Sequence, residues 1–507
     1  MQRFRPANLH LPAWPLLLLA AVMTLGLGAA AATRPTLTTL GTLGLFVAAA
    51  LITLRPLLPR LALVGLGICL LGYAMLGKGF SYLGVSPLYI GEMMLLLCLA
   101  ATLLTVRLRV LTPMPLTWLL LLYMLLGLVA TLPQISVYGI DALRDAVLWG
   151  YGLFALCLAA LLLSRQWTLI VAQQYARLVL PFLIWTPFAV VAVQLYNGVM
   201  PRFPGTTITL IDVKTGDLSV HLAGIAVLLL LGLPRLLRPH SVMATTRMEW
   251  VYWSLWLASA AIPLFRTRAG LLSVVVALGL VVLLRPGSRW GKPAALIVLA
   301  LTAVTAFNVQ ATVGEARNTI SPEALILNLQ SITGKSGESY RDGTRGWRLN
   351  WWSDIIGYTV HGPYFWTGKG YGINLADADG YQLTLEGSAL RSPHNGHMSV
   401  LARSGVPGFV AWVILNLTFA LGLLRAYFRA NLAGQTLWAK LNLWVLAYWA
   451  AFMVNASFDV YLEGPQGGIW FWCLFGFGTA LLELQRRNRA TLTPRPHHTL
   501  PTFRSLP

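Results

Sequence analysis

Runs of about twenty apolar residues recur along the whole chain. Nothing else in the sequence constrains the fold as much, because such a run crosses the hydrocarbon core of a bilayer as one helix. Fourteen runs lie near 11–31, 37–54, 61–76, 88–105, 115–132, 146–163, 175–195, 220–237, 249–264, 269–285, 292–310, 397–424, 438–458 and 467–484. Several are short enough to re-enter rather than cross, so 12–14 spans are expected. The composition agrees: 57% of residues are hydrophobic and 11% charged, against about 25% charged in soluble domains. A chain of 507 residues divided this way excludes a large soluble catalytic domain. The expected fold class is an all-α polytopic membrane protein.

The 37 Lys and Arg against 17 Asp and Glu give a net charge of +20, which in a soluble protein would point to nucleic acid. In a membrane protein it first reports orientation, since basic residues in short loops stay on the cytoplasmic side. With the N-terminus inside, the inner loops hold 21 Lys and Arg and the short outer loops 7. Both termini are therefore expected inside, and the long hydrophilic stretch 311–395 outside. The N-terminal basic and apolar regions resemble a signal peptide, but further spans follow at once, so a retained first helix is expected. Cys69, Cys98, Cys157 and Cys473 fall in apolar stretches without metal-site spacing and are expected to be packed thiols. Four regions follow: spans over 1–310, an outer loop over 311–396, spans over 397–485, and a basic, Pro-rich cytoplasmic tail over 486–507. His497 and His498 in that tail have no further metal ligands beside them.

The outer loop is rich in Trp and Tyr, which disordered segments lack. Apolar residues at 347, 351, 352, 355 and 356 have helical spacing, predicting an amphipathic helix over 345–360 that lies on the membrane. The loop ends in a polar cluster of Arg391, His394, Asn395 and His397, where the chain re-enters the membrane. A histidine held there can accept a proton from a sugar hydroxyl near neutral pH, or simply bind water. His394 and His397 share a helical face near Glu386, but no third zinc ligand lies at fixed spacing. Asp377 and Asp379 form an Asp-x-Asp pair that could hold a divalent cation, although a solvated turn before Gly380 is favoured. Gly368, Gly370 and Gly372 resemble a phosphate loop, but lack the Walker spacing and a preceding strand, so a tight turn is expected. Arg266 and Arg268 interrupt an apolar stretch on the outer side, where arginines are costly and usually functional. Guanidinium groups match phosphate oxygens. The pair suits a lipid-linked pyrophosphate, or snorkelling to headgroups, and Arg345 and Arg348 could complete the clamp.

These motifs, in this order, resemble the O-antigen ligase and polymerase superfamily of bacterial surface-polysaccharide assembly. The family pattern of His, then Asn, Ser or Gln, nine residues and Gly is met by His394, Asn395 and Gly405. An Arg-x-x-x-Trp element before a Gly-x-Gly turn is met by Arg348, Trp352, Gly368, Gly370 and Gly372, and the arginine opening a central span by Arg268, after Thr267 in place of the usual Ser. The motifs cover 266–408, and the topological likeness covers most of the chain.

The resemblance implies a GT-C-like fold in the bacterial inner membrane, with the active site on the periplasmic face. It also implies transfer of O-antigen polysaccharide from undecaprenyl pyrophosphate to lipid A-core, with inversion and with no cofactor, nucleotide or required metal. By it, His394 would be the base or would orient the acceptor hydroxyl, and Arg266, Arg268, Arg345 and Arg348 would bind the donor pyrophosphate. Asn395, His397, Arg391 and Trp352 would serve the acceptor or support the base. The O-antigen polymerase and the protein O-oligosaccharyltransferase remain open within the superfamily. The short C-terminal tail favours the ligase over the protein transferase. A transporter of lipid-linked oligosaccharide remains open from another class, with Glu92 and Asp459 as the ionisable residues to inspect within spans.

Overall fold

A computed structural model of the 507-residue chain describes residues 49–487, apart from 205, 240, 242–244, 286, 307–310, 313–318, 321–338, 383 and 386–387. The expected spans at 11–31 and over most of 37–54, the candidate ligand Glu386, and His497 and His498 lie outside the described residues. The helices are α1 (Leu58–Leu76), α2 (Ile90–Thr105), α3 (Pro115–Tyr138), α4 (Ile140–Gly150), α5 (Gly152–Arg165), α6 (Thr168–Tyr196), α7 (Thr215–Leu230) and α8 (Leu233–Leu237). They continue as α9 (Thr246–Arg266), α10 (Arg268–Leu284), α11 (Gly291–Ala306), α12 (Ser339–Val360), α13 (Leu375–Asp379), α14 (Gly396–Leu432), α15 (Thr436–Ala456) and α16 (Pro465–Arg487). Strands among the described residues are confined to two-residue antiparallel hairpins.

The protein is an all-α polytopic membrane protein. Six helices, α1, α3, α6, α14, α15 and α16, are long and apolar enough to cross a bilayer, and α4 with α5 makes a seventh if the pair, bent by 44°, is one span. The runs read at 88–105, 220–237, 269–285 and 292–310 form the shorter apolar helices α2, α7, α10 and α11. Every residue of α7 is buried, because α9, α10 and α15 pack around it. Outward-facing Trp118, Phe188 and Leu283 remain exposed, as expected where lipid replaces water as the neighbour.

The course of these helices sets two ends. Lys214 precedes α7, Arg268 opens α10, Arg266 closes α9, and Asn455 lies in the last turn of α15, all at one end. Leu230, Glu249, Arg285 and Lys440 mark the opposite ends of the same four helices. At about 1.5 Å per residue, the 16 residues of α7 hold the two ends roughly 24 Å apart.

The amphipathic helix read at 345–360 exists as the end of the longer α12, but protein rather than membrane covers its apolar face. Trp351 and Ile355 are fully buried against Leu375, Ala376, Leu401 and Ala402, in a small core separate from that of the bundle. The sequence period marks an apolar face; it does not distinguish a bilayer from a neighbouring helix.

Candidate active site

The site is built where α14 begins. Asn395 is its N-cap: the side-chain carbonyl accepts from the backbone N–H of His397 (2.9 Å) and Met398 (3.2 Å), satisfying donors that a helix start leaves unpaired. The residue before it, His394, has φ +51°, a left-handed conformation unusual for a residue other than glycine and common at functional sites. The indole N–H of Trp352 donates to the carbonyl of Pro393 (2.9 Å). Arg348 donates to the carbonyl of Phe458 (3.1 Å). One face of α12 is thereby tied both to the segment before His394 and to the loop joining α15 to α16. Arg345, three residues before Arg348, lies on the same face and is exposed.

That loop supplies Asp459. Its Oδ1 lies 3.7 Å from His394 Nδ1 and 3.9 Å from Lys214 Nζ, and accepts from the N–H of Val460 at 2.7 Å. Burial alone would raise the Asp459 carboxyl, but the Lys214 ammonium and the His394 imidazole outweigh it and hold the group well below the usual carboxylate range. The Asp459 carboxylate in turn raises Lys214 above the usual lysine range. An ionised aspartate thus faces one ring nitrogen of His394. No hydrogen bond engages Nε2 of His394 among the described residues. His397 differs: Trp412 Nε1 donates to its Nδ1 (3.1 Å), and Nε2 lies 3.3 Å from the Met453 carbonyl. Both of its nitrogens are engaged, Nδ1 by a residue further along α14 and Nε2 by α15.

Gly405 explains how the glycine turn reaches this site. The helix of α14 breaks there at φ +66°, ψ −170°. Pro407 has no N–H for the carbonyl of Arg403, and Val406 N–H turns instead to the Phe365 carbonyl (2.8 Å). The freed carbonyls of Ala402 and Arg403 accept from Lys369 (2.7 Å) and Gly370 (3.1 Å). A side chain at 405 would meet the Phe365 carbonyl at 2.5 Å, so both the conformation and the space require glycine. The turn is clamped from beneath by Asp145, which pairs with Arg403 (3.0 Å) and Arg391 (3.1 Å) and accepts from Gly372 N–H (3.1 Å). Arg391 is therefore directed to Asp145, to Asp141 (3.7 Å) and to the Gly372 carbonyl (3.0 Å).

The Asp-x-Asp pair is used internally. Asp379 takes Lys369 Nζ (2.5 Å), Trp351 Nε1 (2.6 Å) and Tyr358 OH (3.2 Å), while Asp377 accepts from Asn374 (2.5 Å) and Gln382 (2.6 Å). Glu92 caps α2 by accepting from Tyr89 N–H and also takes the hydroxyl of Tyr151 at 2.8 Å. Arg266 and Arg268 flank the extended Thr267 between α9 and α10. A side chain at Gly270 would stand 2.4 Å from Ser219 Oγ, so the first turn of α10 sits directly on the second turn of α7, the helix that Lys214 precedes. The arginine pair and the His394–Asp459–Lys214 chain therefore share one end of the bundle.

Sequence reasoning did not find the Asp459–Lys214 pair or the Asp145 clamp. Lys214 was informative only for orientation, and Asp459 only as an ionisable residue near a span. The available signal was an aspartate in the short connection after α15. For Arg403 it was a charge inside the nine-residue spacer between Asn395 and Gly405.

Residues 253–413 match the family model described as O-Antigen ligase. The chain carries an O-antigen ligase superfamily domain. The matched segment runs from α9 into α14 and contains Arg266, Arg268, α12, the glycine turn, His394 and Gly405. The family comprises glycosyltransferase-like membrane enzymes that act on lipid-linked polysaccharide. No curated protein matches the chain.

Proposed function

We propose that the protein is an O-antigen ligase, transferring O-antigen polysaccharide from undecaprenyl pyrophosphate to lipid A-core on the periplasmic face of the bacterial inner membrane. The observation that carries this reading is the contact between His394 and an ionised Asp459 at the end of the bundle that also bears Arg266, Arg268 and Arg348. A base held by a carboxylate, beside several guanidinium groups, suits attack by a neutral hydroxyl on a sugar with a pyrophosphate leaving group.

In this reading His394 removes the proton of the acceptor hydroxyl while its oxygen attacks the anomeric carbon from the side opposite the pyrophosphate, inverting that centre. The bond from the anomeric carbon to the phosphate oxygen breaks, and the bonding pair leaves on undecaprenyl pyrophosphate. Asp459 faces Nδ1 of the imidazole and orients the ring, as a carboxylate partner does for a general base. Arg266, Arg268, Arg345 and Arg348 bind the pyrophosphate and offset the charge it gains on departure, where fixed positive groups contribute most. The donor is already activated, so positioning two lipids and neutralising charge is sufficient work for the protein. Asn395 fixes the helix start that follows His394, and Trp352 holds the segment before it. Arg391 supports the glycine turn.

Reconstitution tests the reading. Purified protein with polysaccharide on undecaprenyl pyrophosphate, in EDTA, is offered lipid A-core, the lipid-linked repeat unit or a Ser/Thr peptide. Transfer to lipid A-core is expected. Elongation of the repeat unit would make the protein a polymerase, modification of the peptide a protein transferase, and no transfer would favour a transporter.

A further inference from the structure

At the end of the bundle opposite His394, basic side chains from several elements converge on a single carboxylate. Glu249, in the first turn of α9, receives Arg235 from α8 (2.9 Å), Arg289 from the α10–α11 connection, and Lys292 from α11 (2.7 Å). Arg235 and Lys292 also bond to Thr246, through its hydroxyl (3.0 Å) and its carbonyl (2.6 Å). Beside them Arg285, held by the Asn431 side chain (3.3 Å), and Arg289 lie within electrostatic reach of the Lys440 ammonium on α15. Among the described residues no carboxylate lies within 4 Å of Arg285 or Lys440, and Arg235 Nε is buried without a hydrogen-bond partner. Five cations against one carboxylate leave four positive charges in excess.

Charges so crowded at the edge of a low-dielectric bundle repel one another unless an anion joins them. Setting membrane orientation requires only that such residues occupy a loop; it does not require Arg235, Arg289 and Lys292 to share one carboxylate. The cluster also adjoins exposed apolar surface: Leu236, Trp250, Val282 and Leu283 are 39%, 43%, 49% and 79% exposed. Lys292 Nζ stands 5.6 Å from the Trp250 ring centre, an interfacial arrangement that places the charged head beside the ring.

We propose that this cluster is a binding site for the phosphodiester headgroup of an anionic phospholipid, with its acyl chains on the α8–α10 apolar surface. The apolar flank distinguishes a lipid from free phosphate. Arg285 and Lys440, which face no carboxylate, are the groups most dependent on the added anion. The site is separate from the glycosyl-transfer site and does not rest on which acceptor that site uses.

The test uses the full chain in vesicles of phosphatidylcholine with phosphatidylglycerol, with retained lipid counted by native mass spectrometry after release. Phosphatidylglycerol should be retained preferentially, and Arg285→Gln/Lys440→Gln should retain it roughly ten-fold less, as expected on losing two interfacial cations. Arg60→Gln/Arg107→Gln removes the same charge elsewhere and should retain it like the unmodified protein. Melting in phosphatidylcholine alone checks that both double variants fold. Equal retention of the two lipids by the unmodified protein, equal loss in both double variants, or equal thermal stabilisation by inorganic phosphate would each overturn the proposal.

Discussion

Two histidines three residues apart are committed to different tasks. His397 has both ring nitrogens engaged, by Trp412 and by the Met453 carbonyl, whereas His394 meets an ionised aspartate with one nitrogen. Asp459→Asn removes that charge and is expected to lower kcat of transfer by roughly 10²-fold with little change in KM, measured on the reconstituted protein. A merely structural loss would instead lower the melting temperature without that kinetic split. The pH dependence follows from Lys214. Because the Asp459 carboxyl is held well below its ordinary range, the stability it contributes is fully present above about pH 4 and is lost only as pH falls through the depressed folded value. In Lys214→Met the largest of the groups that lower the carboxyl is gone, while burial still raises it. The acid limb of a melting-temperature profile should therefore move to higher pH in that variant.

The elements around the site were legible to different degrees. The spacing from His394 and Asn395 to Gly405 runs from just before α14 to its break, so a local pattern carries it, and the helix break gives that pattern its physical content. Gly405→Ala forces a side chain into φ +66° and against the Phe365 carbonyl; a loss of about 1–3 kcal/mol in unfolding free energy is expected, together with reduced transfer. Asp459 and Asp145 were not legible in this way. Each meets its partner only after the helices assemble, across 65 residues for Asp459 and His394 and 258 for Asp145 and Arg403 by residue number. Arg403 is 1% exposed, so Asp145→Asn leaves buried positive charge without its counter-ion. That change should destabilise by about 3–5 kcal/mol, read from thermal or denaturant unfolding in detergent. The face of α12 was a third case: its period was visible, but the identity of its cover depended on α13 and α14.

Over the whole molecule, apolar runs foretold the helices well because the bilayer sets their length. The short α7 was found by the same signal, but its central, protein-covered place was not, since lipid and protein neighbours select similarly apolar residues. The two ends of the bundle give the protein its polarity, with the His394 chain at one and the Glu249 cluster at the other. The proposed orientation predicts that Lys440→Cys is labelled only from the cytoplasmic side and Arg345→Cys only from the periplasmic side; impermeant maleimide applied to right-side-out and inverted vesicles checks both. The central claim is that His394 removes the acceptor proton during metal-independent sugar transfer. It is tested most directly by the single-turnover rate of transfer to lipid A-core, in EDTA, for the unmodified protein and His394→Ala at matched melting temperature. A fall of about 10²- to 10⁴-fold is predicted; an unchanged rate in the variant would contradict the account.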